Sequence, residues 1–282
     1  MRSNGSRQKK QRSQTDDRPG IWVGYGKLVK LFRERAGLTQ QELADAVGYS
    51  YEQVASIEQG RRPAKPAFTD AADEELNTGG ALTVLQDEVD LARLPAFFQN
   101  FALIELEAIS LFWYGGYVMP GLLQTEEYAR ELLTAHFPPL DVETIDERLA
   151  ARLDRQALLK REKPPLVSVF LIEEVVLRRP VGGAEVMKRQ LKQLLERAEA
   201  RNIQVQIMPT SFGAHAGLNG SMVLVETVQH RNVAYIEAQD TGVVISEASQ
   251  VSEFQLRYGM LRSQALNIGE SARLIERVMG EL

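Results

Sequence analysis

Tyr51, Glu52, Ala55, Ser56 and Gln59 fall at helical spacing on one side of a short segment. They are what its apolar positions, Val54 and Ile57, leave for the outer face. Their chemistry suits the edges of DNA bases. The Glu52 carboxylate can accept from cytosine N4, the Ser56 hydroxyl can donate or accept, and Tyr51 can pack on a thymine methyl or bond a phosphate. Ser50, immediately ahead, can cap the helix and stand with this set. Arg61, Arg62 and Lys65 follow, cations placed to hold phosphates. Taken singly, each position has a plainer alternative as part of a solvated helix face.

Such a set needs a frame, and residues 25–63 supply one. Three amphipathic stretches are separated by glycine turns at Gly37 and Gly48. Thr39 with Glu42, and Ser50 with Gln53, have the spacing of capping boxes, which start two helices in quick succession. Val29, Phe32 and Ala36 recur at helical spacing, and Leu38, Leu43, Ala44, Val47, Val54 and Ile57 can close a core behind them. A helix, a turn of three or four residues and a second helix make a helix-turn-helix unit, whose second helix enters the major groove.

The words RERAGLTQQELA at 33–44, then Val47, Gly48, Ser50, Val54, Ile57, Glu58 and Gly60, resemble the Xre and lambda-repressor-like DNA-binding domains. The resemblance implies five short helices and an ion pair, buried or half-buried, between Arg33 and Glu58. It also implies that Gln40, opening the second helix, holds a phosphate with its amide and the helix N-terminus.

Net charge is −5, and its distribution is uneven. Residues 1–66 hold thirteen Lys or Arg against seven Asp or Glu, so the head is at +6 and the remainder at −11. A basic head on an acidic body suits a DNA-binding module joined to something that does not bind DNA. Residues 1–20 are basic, polar and lack an apolar core, so a disordered tail is expected there rather than a secretory signal. The absence of cysteine excludes disulfides, thiolate metal sites and a cysteine nucleophile, and is in keeping with a cytoplasmic location. No apolar run approaches the roughly 20 residues of a membrane helix, so no membrane association is expected.

The expected architecture is multidomain: an all-α helix-turn-helix domain over 21–78, then a mixed α+β domain over 79–282. The boundary is placed at Gly79 and Gly80, with a helix over 82–94 beyond it. Strands are expected at 108–114, 166–171, 202–208, 222–226, 233–237 and 243–246. Helices are expected at 119–133 after a turn, capped by Thr125, and at 141–159, 181–200, 250–265 and 268–279. Strand 166–171, helix 181–200 and strand 202–208 have the spacing of a βαβ crossover.

This second part carries VMPGLLQTEEYAR at 118–130, RLDRQ at 152–156, IMP at 207–209 and FGAHAGLNG at 212–220. These words resemble the C-terminal domain of actinobacterial WhiJ-like regulators, which are antitoxin-like. The resemblance implies transcriptional control and a small partner protein encoded nearby.

Chemistry in the body is sparse at the level of sequence. His136, His215 and His230 have no partner at metal-ligand spacing, so no metal is expected. No nucleophile elbow or phosphate loop occurs, and neither a cofactor nor enzymatic activity is expected. Glu173 and Glu174 are adjacent and therefore point apart. The loop 210–220, with His215 and Asn219, is the candidate ligand loop, although an ordinary connecting loop is the stronger alternative. Arg152, Arg155 and Gln156 share a helix face, where pairing with nearby carboxylates is favoured over an acidic partner. The aromatic set Phe97, Phe98, Phe101, Phe112, Trp113, Tyr114 and Tyr117 reads first as core and second as an interface.

The expected function is a sequence-specific DNA-binding transcriptional regulator. It would act as a homodimer on double-stranded DNA, with a body that dimerises or takes a small partner protein. A ligand-sensing repressor is the nearest rival, and an enzyme tethered to DNA the more distant one.

Overall fold

The computed structural model describes residues 18–282. Of the tail expected over 1–20, residues 1–17 lie outside those described. Two units are present, one ending at Asp90 and the other starting at Leu91.

The first unit holds α1 (Gly20–Arg35), α2 (Gln40–Val47), α3 (Tyr51–Glu58), α4 (Pro66–Glu75) and α5 (Gln86–Leu91). Its core gathers Val29 of α1, Leu43, Ala44 and Val47 of α2, and Val54 and Ile57 of α3 against Phe68 of α4. Phe32 and Leu38 pack at its edge, whereas Ala36 is exposed at the end of α1. Gly48 ends α2 with φ of 74°, a left-handed conformation that costs glycine little. Pro66 opens α4, where a missing N–H does no harm.

The boundary expected at Gly79 falls too early. Leu82 and Val89 belong to the core of the first unit. Gln86 donates to the Ala64 carbonyl and accepts from Thr69, and Asp73 accepts from the Leu82 and Thr83 amides. The glycine pair marks a turn inside the unit. The helix expected over 82–94 is a 3-10 turn at Thr83–Leu85 running into the short α5.

The second unit contains α6 (Ala96–Leu106), β1 (Ala108–Gly115), α7 (Glu126–Thr134), α8 (Val142–Arg155), β2 (Val167–Glu173), α9 (Glu174–Arg178) and α10 (Ala184–Ala198). It continues with β3 (Ile203–Met208), β4 (Met222–Thr227), β5 (Asn232–Ala238), β6 (Thr241–Ile245), α11 (Ala248–Gln264) and α12 (Ile268–Glu281). The six strands form one sheet in the order β3-β2-β1-β4-β5-β6. The β3, β2 and β1 ladders are parallel, and β4, β5 and β6 join antiparallel. The β2–α10–β3 connection is thus a parallel crossover.

Alternation along the strands builds a three-layer body. Leu111, Phe170, Ile172, Val223 and Val225 face a core shared with α6, α7, α10 and α12. Their neighbours Tyr114, Leu171, Met222 and Leu224 face a second core with Val251, Tyr258 and Leu261 of α11.

Some elements and boundaries differ from the sequence expectation. Helix α6 was not anticipated, because apolar residues surround it on most sides and mask the helical period. Helix α8 stops at Arg155 and passes into a 3-10 segment, Gln156–Lys160. Helix α10 starts only at Ala184, since Gly182 and Gly183 take positive φ of 69° and 85°.

Candidate functional site

In the first unit the turn between α2 and α3 is held by reciprocal caps. The Glu42 amide donates to Thr39 at 3.2 Å and the Thr39 amide to Glu42 at 2.7 Å. Ser50 and Gln53 repeat the arrangement at 3.3 and 2.9 Å. These bonds satisfy amides that a helix start otherwise leaves open. They also fix how the first turn of α3 projects.

Ser50, Tyr51 and Glu52 are exposed on that first turn, and Gln59 is exposed just past the last. The Glu52 carboxyl is held below its ordinary range by its own amide and the Ser50 hydroxyl. It is therefore an ionised acceptor at the helix N-terminus.

Ala55 and Ser56 do not belong to this face. They are 7% and 8% exposed, so neither is open to a base edge. A Cβ at Gly26 would stand 2.2 Å from the Ile57 carbonyl oxygen, and one at Gly60 would stand 2.7 Å from the Val23 Cα. Glycine at both places lets α1 press on the second half of α3, and Val54 through Glu58 are all buried. The reading face contracts to the helix start.

Arg33 and Glu58 meet beneath it. Arg33 Nη2 donates to Glu58 Oε2 at 3.0 Å and Nε to Oε1 at 2.5 Å, with side chains 9% and 2% exposed. Arg33 Nη1 also donates to the Leu38 carbonyl. Gln40, expected at a phosphate, donates its Nε2 to Glu58 at 2.7 Å. Its side-chain amide donor serves the ion pair. Arg61 and Lys65 are exposed after α3, whereas Arg62 is half-buried and engaged.

The second unit holds a cavity of about 340 Å³. Its floor is a row across three strands, Trp113, Val223 and Tyr235, which are register partners of one another. Phe97 and Phe98 of α6 and Leu132 of α7 close its apolar sides. Arg148, Arg152 and Arg155 line it from α8, at the i, i+4, i+7 spacing that places them on one stripe.

The three guanidiniums are not equivalent. Arg155 is neutralised: it grips Glu105 through two bonds of 2.8 and 2.9 Å and lies 4.2 Å from the centre of the Phe98 ring. Arg152 donates to the neutral Gln124 at 2.9 Å. Neither Arg152 nor Arg148 forms an ion pair among the described residues. Burial pushes the Arg152 guanidinium down to about 10, and the charge of Arg155 adds to the push. The structural pairing expected on this helix holds for Arg155 alone. Gln156 is tied to the Gly121 and Gln124 carbonyls.

In the loop 210–220, His215 is folded inward, with its side chain 3% exposed and Nε2 3.3 Å from Glu173 Oε1. Tyr114 donates to the same oxygen at 2.6 Å. A Cβ at Gly217 would stand 2.1 Å from the Tyr114 hydroxyl, so the loop lies directly on that ring. Asn219 is exposed. Glu174 turns the other way, to Arg178 and the Thr210 amide. Among the aromatics expected in the core, Phe98, Phe101 and Tyr114 are buried, but Tyr117 is 62% exposed.

The cavity was missed in sequence because its walls come from α6, α7, α8 and three strands. The one available signal is the Arg148, Arg152, Arg155 stripe, whose first member stands four residues ahead of RLDRQ at 152–156.

No helix among the described residues is long and apolar enough to cross a membrane. A family model described as a helix-turn-helix domain matches residues 25–85. One described as a domain of unknown function (DUF5753) matches residues 98–277. No curated protein and no solved structure matches the chain.

Proposed function

Because the chain belongs to the family of the domain of unknown function DUF5753 and carries a helix-turn-helix DNA-binding domain, we propose that it is a sequence-specific transcriptional regulator of the Xre type. The observation that carries this reading is the exposed first turn of α3, with Ser50, Tyr51 and Glu52 projected by a capped helix-turn-helix. A helix of this kind reads base edges with its N-terminal residues, while Arg61 and Lys65 supply phosphate contacts. The first-turn contacts are few, which favours a homodimer on two half-sites, acting on DNA in the cytoplasm.

The body, in this reading, binds rather than turns over. WhiJ-like regulators, which it resembles, suggest a small partner protein encoded nearby. The negative charge after residue 66 keeps the body off DNA and leaves it to a partner, a second copy or a ligand. The cavity favours the ligand-responsive form of the proposal, a second reading with a specific observation behind it.

Selection of bound duplexes from a random library by the full chain tests the proposal. An enriched motif made of two inverted half-sites is the expected result. Retention without any enriched motif would leave only non-specific phosphate binding and overturn it.

A further inference from the structure

The α8 side of the cavity presents an imbalance of charge. Arg155 is matched by Glu105, but Arg148 and Arg152 have no carboxylate of their own. Of the acidic residues on the cavity wall, Glu237 acts on Arg152 through its charge but forms no ion pair with it. Glu237 accepts from the Tyr235 hydroxyl at 2.9 Å, and Asp240 stands 3.7 Å from His136 Nε2. A cation drawn into a protein without a counter-ion is costly, and proteins normally pair it. The hydrogen-bond partner of Arg152 is a neutral amide, and that amide is itself locked: Gln124 donates Nε2 to the Met119 carbonyl at 2.7 Å and offers Oε1 to Arg152.

The rest of the wall is mixed, with an aromatic and aliphatic part beside His136, Ser221, Glu237 and Asp240. Trp113 and Tyr235 form the floor, and Phe97 and Leu132 the sides. About 340 Å³ lies within the range of small-molecule sites, at its lower end. Guanidiniums bind carboxylates through paired, charge-assisted bonds. An apolar wall beside them selects for a body as well as a charge.

We propose that this cavity binds a small organic carboxylate, with its charged head on Arg148 and Arg152 and an aromatic or aliphatic body against Trp113, Phe97 and Leu132. The inference concerns the second unit alone. It stands whether or not the head reads a specific operator, so its failure and that of the regulator reading are separable.

Calorimetric titration of the full chain with 3-phenylpropanoate, acetate and the neutral 3-phenylpropanamide tests it. The phenylpropanoate is expected to bind, and both acetate and the amide to bind at least about tenfold more weakly, for want of the body or of the charge. Arg148→Ala removes a side chain without an ion pair, so the fold should persist while affinity falls about tenfold or more. Arg152→Lys keeps the charge and loses the fork, and should weaken binding as well. Arg130→Ala, whose side chain pairs with Asp146 on the surface, serves as the charge-matched control and should change nothing. Equal binding of the amide would overturn the proposal. So would equal effects of Arg148→Ala and Arg130→Ala, or the absence of binding by the phenylpropanoate.

Discussion

Arg33 on α1 and Glu58 on α3 meet fork to fork, twenty-five positions apart, with both side chains buried. Glu58 also accepts from Gln40, so one carboxylate ties together α1, α2 and α3. Removing either partner strands a charge. Arg33→Ala and Glu58→Ala are each expected to destabilise the head by about 3–5 kcal/mol. Replacing both with apolar residues of similar volume should cost much less. Fluorescence melting reads this directly in a Trp113→Phe background, where Trp22 is the remaining tryptophan and reports the head. A loss below about 1 kcal/mol would show that the pair behaves as a surface ion pair.

The reading face gives opposite expectations for two residues four apart. Glu52→Ala should relax preference at one base pair, by about 1–3 kcal/mol if the contact is direct. Ser56→Ala should leave the selected motif as it was, because Ser56 is buried behind the helix start. Binding-site selection on both variants checks this. A changed motif with Ser56→Ala, or an unchanged one with Glu52→Ala, would move the reading face elsewhere on α3.

Two glycines of α1 separate propensity from packing. Gly24 has open space around it, so Gly24→Ala should stabilise the head by about 0.5–1 kcal/mol through helix propensity alone. Gly26 abuts the Ile57 and Glu58 carbonyls, and Gly26→Ala should cost about 1–3 kcal/mol or more as backbone is forced from backbone. Thermal midpoints should move in opposite directions. Movement in the same direction would contradict the close approach of α1 to α3.

Asp73 links acid sensitivity to the turn that closes the first unit. Burial pushes its carboxyl up, but donors from Thr78, Thr83 and the Leu82 amide outweigh that and hold it below the ordinary range. A group with a lowered folded pKa stabilises above its unfolded value, about 3.9, and loses that contribution as pH falls through the folded value. Asp73→Asn should therefore melt lower than the parent at neutral pH, and the gap should close in acid. A gap that persists unchanged below about pH 3 would mean that shape, not charge, is what Asp73 provides.

Much of the head was legible because its signals are local. Thr39 with Glu42, Ser50 with Gln53, and Gly48 each declare a boundary within a few residues. The six strands were legible too, from β-branched runs bounded by turns. What sequence could not supply was the distance between backbones. Nothing local says that Gly26 sits on Ile57, or that Ala55 and Ser56 are buried. The same holds for Leu82 and Val89, whose attachment to Phe68 is a packing fact. Helix α6 has apolar residues nearly all round, which erases the period that betrays a helix. The cavity is assembled from residues between 94 and 240, and only the α8 stripe lies along one element.

The parallel ladder of the body has a consequence for how the chain is made. Ser110 pairs with Val167, and on its other side with Glu226, so β1 leaves the ribosome long before either neighbour exists. At about 5–20 residues per second, the central strand waits roughly 3–10 s for its first partner. During that interval AISLFWYG, β-prone and uncharged, stands with both edges open. The head, whose contacts are mostly local, is complete by then and has time to fold. Biogenesis of this protein is thus divided in time: a rapidly finished head travels ahead of a sheet whose inner strand is synthesised first and must wait for both of its neighbours. Translation pausing or chaperone occupancy between residues 115 and 167 is where its yield would be decided.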